Sequence, residues 1–288
     1  MSLLVFSDNP GVEETKMVLS ELKRRQIPTD FLTPWDISLP DMDIKEYQVV
    51  YVPSNMLHRG STFEFIHRLE ILRRFEEKSR IINPLDSILS YSKENLTLTL
   101  KKNKFPHPRT LITENHENAK RFSIELLEGG REVIMKPICR ARGIGVRKLS
   151  NIWKREQLNQ FLVWYSRKLG QGVYYLQEFI PNQGYDIRCL VVDGVVVGRE
   201  KRSNPEDFRY NVAAGGIAEP FEDDTYDDLA REVAHLINLD ITGLDILPGK
   251  DGTPYVLEAN AYPGYKTLIE ATGAPIHKYI VDYLERQL

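Results

Sequence analysis

Near the C-terminal end of the chain, the stretch "TPYVLEANAYPGY" (residues 253–265) is an apolar run that exits through Glu258 and Asn260. Residues two apart in a strand point the same way, so this carboxylate and amide would share a face. Upstream, "ITGLDIL" sets Asp245 among apolar neighbours, where a carboxylate is costly to bury without a cation or a hydrogen-bonding partner. "PGKDGTP" between the two runs reads as a hairpin loop, making them antiparallel partners and gathering three oxygen donors in one small volume. Such a set suits magnesium, which prefers hard oxygen ligands and keeps positions for water and substrate phosphates. Taken alone, Glu258 and Asn260 fit exposed strand-end polars before the turn residue Pro263 better; Asp245 moves the reading toward the metal of a nucleotide.

Three further clusters carry chemistry. Lys136 ends the apolar run "EVIMKP", ahead of "ICRARGIGV", whose Gly143 and Gly145 would let backbone N–H groups approach a polyphosphate that the lysine reaches. The loop is not a Walker A motif, and a flexible turn between strands reads the same way. In "YYLQEFIPNQGYDIRC" the strand breaks at Pro181, so that Glu178 and Phe179 would offer free backbone groups to an adenine edge and Asp186 would accept from ribose hydroxyls. The alternative is an ordinary strand with a polar turn. "REKRSNPEDFRYNVAAGG" collects Lys201, Arg202, Arg209 and Asn211 around a loop, either as a solvated charged segment or as donors for an anionic transition state.

These clusters need elements to hold them. "SLLVFS", "DNPG" and "VEETKMVLSELKRRQ" read as strand, turn and amphipathic helix, with more strands at "TDFLTP", "YQVVYVP" and "RIINP". Strands alternating with helices predict a mostly parallel sheet and an α/β domain over 1–87. From residue 88 the style becomes α+β: a central unit over 88–172 carries the glycine loop, and a strand-rich unit over 173–288 carries Asp245, Glu258 and Asn260. Within "DIRCLVVDGVVVGREKR" the Asp-Gly pair between β-branched runs is a strong hairpin signal. Hydrophobic content of 42%, charge of 27% and a net charge of -3 describe a globular chain and argue against a dedicated nucleic-acid binder. No apolar run approaches the roughly 20 residues of a membrane helix, and the expected setting is cytoplasmic. Cys139 and Cys189, without a CxxC pair, read as reduced thiols. Homo-oligomerisation is left open.

In this order and spacing, "MKP…RGIGV", "QEFI…GYDIRCLVVDGVVV", "DFRYNVAAGG", "ITGLDIL" and "VLEANAYPG" resemble the ATP-grasp superfamily, and more narrowly the RimK-type α-L-glutamate ligases, over nearly the whole chain. The resemblance implies an ATP-grasp fold with the nucleotide held between the central and C-terminal units. It assigns Lys93 and Lys136 to ATP phosphates, Glu178 and Phe179 to adenine, and Asp186 to ribose. Asp245, Glu258 and Asn260 match ligands of magnesium, with manganese as the alternative; Arg209 and Asn211 match phosphate contacts, and Arg202 a basic position near an acyl phosphate. ATP, L-glutamate and a small acidic acceptor are the implied partners, with no nucleic acid and no membrane. Ser92 stands before Lys93 where the family usually has Asp, and the loop "CRARGIGV" is more basic than in bacterial relatives. The N-terminal half is closer to archaeal members that glutamylate coenzyme tails, such as the tetrahydromethanopterin ligases. Another amino acid, a peptide acceptor or a nucleotide-binding module without turnover remain the alternatives.

Overall fold

Alternation decides the first layer. In β1 (Leu3–Phe6), Leu3 and Val5 enter one hydrophobic core while Leu4 and Phe6 enter another, so the strand is buried on both faces, as a parallel sheet requires. It pairs in parallel with β2 (Thr29–Leu32) and β3 (Val49–Tyr51), and β3 pairs with β4 (Arg80–Ile82), giving the order β2-β1-β3-β4. Helix α1 (Glu13–Arg24) contributes Val18 and Leu22 to one face, and α2 (Thr62–Glu76) contributes Ile71, Leu72 and Phe75 to the other. Ser61 caps α2, and the Glu64 carboxylate accepts from the Ser61 N–H at 2.8 Å, a capping box written in "STFE". The computed structural model describes residues 2–39, 45–90, 92–138, 143–150, 155–169 and 172–288; Cys139, Arg140 and Arg142 lie outside them.

Short α3 (Leu85–Leu89) and α4 (Lys93–Lys102), capped by Ser92, lead to a second sheet. Its strands β5 (Thr110–Thr113), β6 (Val133–Lys136), β7 (Arg147–Leu149) and β8 (Tyr174–Glu178) run antiparallel in the order β5-β8-β6-β7. Val133, Met135, Tyr174 and Leu176 pack under α5 (His116–Glu128) and α6 (Arg155–Leu169). Period two then turns Ile134, Lys136 and Gln177 to the opposite, uncovered face.

The third sheet, antiparallel in the order β11-β10-β9-β12-β13, comprises β9 (Tyr185–Val192), β10 (Val195–Ser203), β11 (Ile217–Pro220), β12 (Ile241–Pro248) and β13 (Pro254–Asn260). Between β9 and β10, Asp193 and Gly194 both take positive φ, 51° and 71°, as a tight hairpin turn demands. One face packs Ile187, Cys189, Val191 and Leu244 under α7 (Asp227–Leu236). The other face changes character along β9: Leu190 and Val192 join an apolar seam, whereas Asp186 and Arg188 enter a cleft. After α8 (Lys266–Thr272), α9 (Ile276–Arg286) sets Ile276, Ile280, Val281 and Leu284 in that seam against β1 and α1, each buried apolar side chain contributing about 1.5–3 kcal/mol. Asn83 completes the join: its amide donates to the carbonyls of Ile241 and Ala261 at 2.9 and 2.8 Å and accepts from the Ile241 N–H at 2.7 Å. Cys189 is buried, and desolvation pushes its thiol up to about 12, which leaves it unreactive. No helix among the described residues is long and apolar enough to cross a membrane.

Candidate active site between the sheets

A cleft of about 810 Å³ is lined by strands of the second and third sheets and by segments that follow strands of the first. On its C-terminal floor, Asp245 and Glu258 are register partners and Asn260 lies opposite Gly243, with a bulge between Asp245 and Ile246. The three sequence-derived oxygen donors therefore line one cavity together with Lys136. Among the described residues no three His, Cys, Asp or Glu groups form a metal-holding cluster, so the set rests on two carboxylates and an amide.

The donors are already engaged. Arg188 forks onto Asp245, with Nε on Oδ1 and Nη2 3.0 Å from Oδ2, and Arg202 Nη2 lies 3.0 Å from Asp245 Oδ1. Burial alone would raise this carboxyl, but the two guanidiniums outweigh it and hold it below the usual range. Glu258 meets Lys93 at 3.1 Å, and the Asn260 amide nitrogen donates to the Gly243 carbonyl at 3.4 Å. Two carboxylates and an amide oxygen are of the hard type that a divalent ion takes, and Asn260 is held through its nitrogen, the end that a cation does not use; an ion would share or take over the carboxylate oxygens now paired with Arg188, Arg202 and Lys93.

Several expectations are corrected by position. Asp186 holds Arg202 bidentately, with Nε and Nη2 each 2.8 Å from a carboxylate oxygen, so a ribose hydroxyl would have to share an oxygen with that arginine. The backbone groups at the end of β8 are not free donors: Glu178 N–H donates to Arg109 O at 2.8 Å and Phe179 N–H to Glu132 O at 2.9 Å. Their side chains nonetheless line the cleft, and Glu178 pairs with Arg131 at 3.2 Å. Lys201 points the other way. Arg202 faces the cleft, so strand alternation sends Lys201 to the opposite face, over the Tyr185 ring at 4.9 Å and 3.7 Å from Glu219. Gly143 lines the cleft, whereas Gly145 sits behind it and accepts from the Tyr165 hydroxyl at 3.0 Å.

At the end of β6, Lys136 donates to Gln177 Oε1 at 2.7 Å, and Gln177 in turn donates to Thr110 at 3.0 Å. Burial lowers the lysine to about 8 against the pull of Glu258. Across the cleft, Arg209 donates to the Gly143 carbonyl at 3.1 Å, and a Cβ on Gly143, whose φ is +68°, would stand 3.1 Å from Asn211 Oδ1. Gly143 is thus docked on the 204–216 loop, where the buried Asn211 Nδ2 has no hydrogen-bond partner among the described residues. Three residues escaped the sequence reading. Arg188 could have been found, since it follows Asp186 by two and shares its face. Lys148 lies 4.6 Å from the Phe179 ring centroid and 5.7 Å from that of Phe208, a contact with no local signal. Glu200, buried on β10, accepts from Thr267 at 3.4 Å through one oxygen, its other oxygen has no hydrogen-bond partner among the described residues, and burial raises its carboxyl despite Arg188 and Arg202.

A family model described as a RimK-like ATP-grasp domain matches residues 92–284. The coenzyme gamma-F420-2:alpha-L-glutamate ligase of Methanocaldococcus jannaschii is 34% identical over 228 residues, 78% of this chain and 75% of its own length. The tetrahydromethanopterin:alpha-L-glutamate ligase of Methanococcus maripaludis is 29% identical over 231 residues, covering 77% and 75% of the two chains. Among solved structures, the ATP-grasp ligase PsnB complexed with a minimal precursor aligns over 99% of this chain and 98% of its own with a TM-score of 0.77 at 23% identity.

Proposed function

The chain belongs to the RimK-like ATP-grasp family, as a ligase that forms carbon–nitrogen bonds, and from that premise we propose that it joins L-glutamate to a small acidic acceptor such as the glutamyl tail of a coenzyme. The observation that carries this reading is the meeting of Lys136, Asp245, Glu258 and Asn260 on one cleft. In this reading 1–87, 88–172 and 173–288 act as three domains, and the nucleotide lies between the second and third. The setting is cytoplasmic and the partners are small molecules.

The acceptor carboxylate oxygen attacks the γ-phosphorus of ATP, the bond to the bridging oxygen breaks, and ADP leaves. The glutamate amine then attacks the acyl phosphate carbon, phosphate departs, and the amine proton is released. Lys136 offsets charge on the phosphates from a desolvated position, where a cation acts most strongly. Arg202, fixed by Asp186 and Asp245, and Arg188 beside it set rigidly oriented N–H donors on the floor of the cleft, which favour the acyl phosphate. The Phe179 and Phe208 rings frame the adenine end, and Lys148 over both keeps them in place. The contact from Arg209 to Gly143 holds that residue at the cleft wall, where it helps to exclude the water that would hydrolyse the acyl phosphate. Asp245, Glu258 and Asn260 would hold magnesium, or manganese in its place, which supplies Lewis-acid charge at phosphate oxygens.

The test is ADP release with L-glutamate against pterin, deazaflavin and peptide acids, followed by mass spectrometry of the products. Glutamate-dependent ADP release with a product heavier by one glutamyl residue is expected with an acid of the coenzyme type. If glutamate stimulates release with no acid while another amino acid does, the glutamate assignment is wrong.

A further inference from the structure

The strand order of the first sheet reverses direction at one place. From β1 the chain moves to β2 on one side, then returns to β3 on the other, so the crevice beyond the C-terminal ends of β1 and β3 is the switch point at which open parallel sheets bind ligands. Those ends deliver Asp8 after β1 and Ser54, Asn55 and Arg59 after β3, and the last three line the same cleft as the ATP-grasp residues.

This end of the cleft is built, polar and unsatisfied. Ser54 donates to Asp8 at 2.8 Å and takes a hydrogen bond from Ser7 at 3.0 Å, and Arg59 Nη1 meets the other Asp8 oxygen at 3.1 Å. The loop that carries Arg59 is pinned from behind by Arg68, whose buried guanidinium donates to the carbonyls of Met56 and Arg59. Arg59 is tied to Asp8 through a single nitrogen and its side chain is 49% exposed, which leaves its fork available to a carboxylate. Two buried polar atoms here have no hydrogen-bond partner among the described residues: Asn55 Oδ1, and the hydroxyl of Tyr262, which follows β13. The other cleft arginines are committed, Arg188 and Arg202 to Asp245 and Asp186, and Arg209 to Asp207.

We propose that the switch-point crevice is the carboxylate-recognition subsite of the cleft: Arg59 grips a free carboxylate of a glutamyl substrate, while Asn55 and Tyr262 hydrogen-bond its polar backbone. This rests on the ligase reading, in which the opposite end of the cleft takes the nucleotide. The carboxylate has two sources, the incoming L-glutamate or the glutamyl terminus of the acceptor.

Equilibrium dialysis with ADP and magnesium present separates them, with labelled L-glutamate in one arm and amine-blocked N-acetyl-L-glutamyl-L-glutamate in the other. Arg59→Gln is expected to weaken binding of a responding probe roughly tenfold, the size of one lost charge-assisted pair, and Tyr262→Phe about threefold. ADP affinity stays unchanged in both variants. A response confined to L-glutamate assigns the subsite to the amine substrate, and one confined to the blocked dipeptide assigns it to the acceptor; either supports the proposal. Binding of both probes unchanged in both variants overturns it, as does a wild type that binds ADP and neither probe. Loss of ADP binding by the wild type would count against the ligase reading instead, and the probe arms would still decide the subsite.

Discussion

The two polar clusters that face each other across the cleft deal with desolvation in opposite ways. On the third sheet the charges form a checkerboard across strands: Glu200 lies opposite Arg188, Arg202 opposite Asp186, and Arg188 opposite Asp245. On the second sheet Lys136 has a neutral amide oxygen as its direct partner, and burial has already lowered its proton affinity. The first cluster neutralises itself and so fixes geometry; the second holds a cation under strain, which an anion would relieve. In the proposed reaction, a cleft built this way would be rigid on the side where the reacting groups are aligned and receptive on the side where phosphate enters.

The sharpest way to break this comparison is Asp245→Asn. Removing the carboxylate leaves Arg188 and Arg202 buried with too little negative charge, and the unfolding free energy should fall by about 3–5 kcal/mol in urea titrations. ADP release should drop about a thousandfold, since the same residue orders Arg188 and Arg202 and would ligate the metal. Unchanged stability would mean that the checkerboard is not a structural unit. Lys136→Met is the matching change on the other side, with the opposite sign in stability. Turnover should fall roughly a hundredfold for the loss of a preorganised phosphate contact. The nucleotide-free protein should nonetheless gain about 1–2 kcal/mol, because an unfavourably buried ammonium is replaced by an apolar chain of similar length. A loss of stability like that of Asp245→Asn would erase the contrast between the two sides.

Where local rules govern, the sequence already carried the arrangement. The both-faces burial of β1, the Asp193-Gly194 turn and the pairing of Asp245 with Glu258 all follow from period two and from turn chemistry acting within a hairpin. The same alternation, carried along "REKRS", separates Lys201 from Arg202, which the reading of that segment as one cluster around a loop had placed together. What could not be read depends on contacts between sheets. Lys148 reaches Phe179 only because β7 and the end of β8 lie in one sheet with β6 between them. Ser54, Asn55 and Arg59 have no pattern of their own; they matter through the order β2-β1-β3-β4 and through Asn83, which locks that sheet to β12. The Arg188 fork on Asp245 turns an apparent open ligand into half of a pair, a fact about register across two strands and not about either one.

The smallest expected effect is also the most selective. Burial lowers Lys136 from the ordinary lysine value of 10.5 to about 8, so the empty site loses its ammonium as pH rises through that value. ADP affinity should then fall above pH 8, approaching tenfold per unit, because binding must draw the proton back. Calorimetric titrations of ADP at pH 9, in two buffers of different ionisation enthalpy, should therefore show uptake of close to one proton by the wild type and none attributable to this site in Lys136→Met. The stability sign follows from the same displacement. Between about 8 and 10.5 the unfolded chain binds the proton that the folded chain has released, so the unfolding free energy of the wild type should rise with pH relative to the methionine variant. Below 8 both states carry the proton and the full burial penalty stands; above 10.5 neither does and the penalty is gone. Parallel pH profiles for the two proteins would show that Lys136 is solvated in the empty cleft, and the asymmetry between its two walls would then lie in geometry alone.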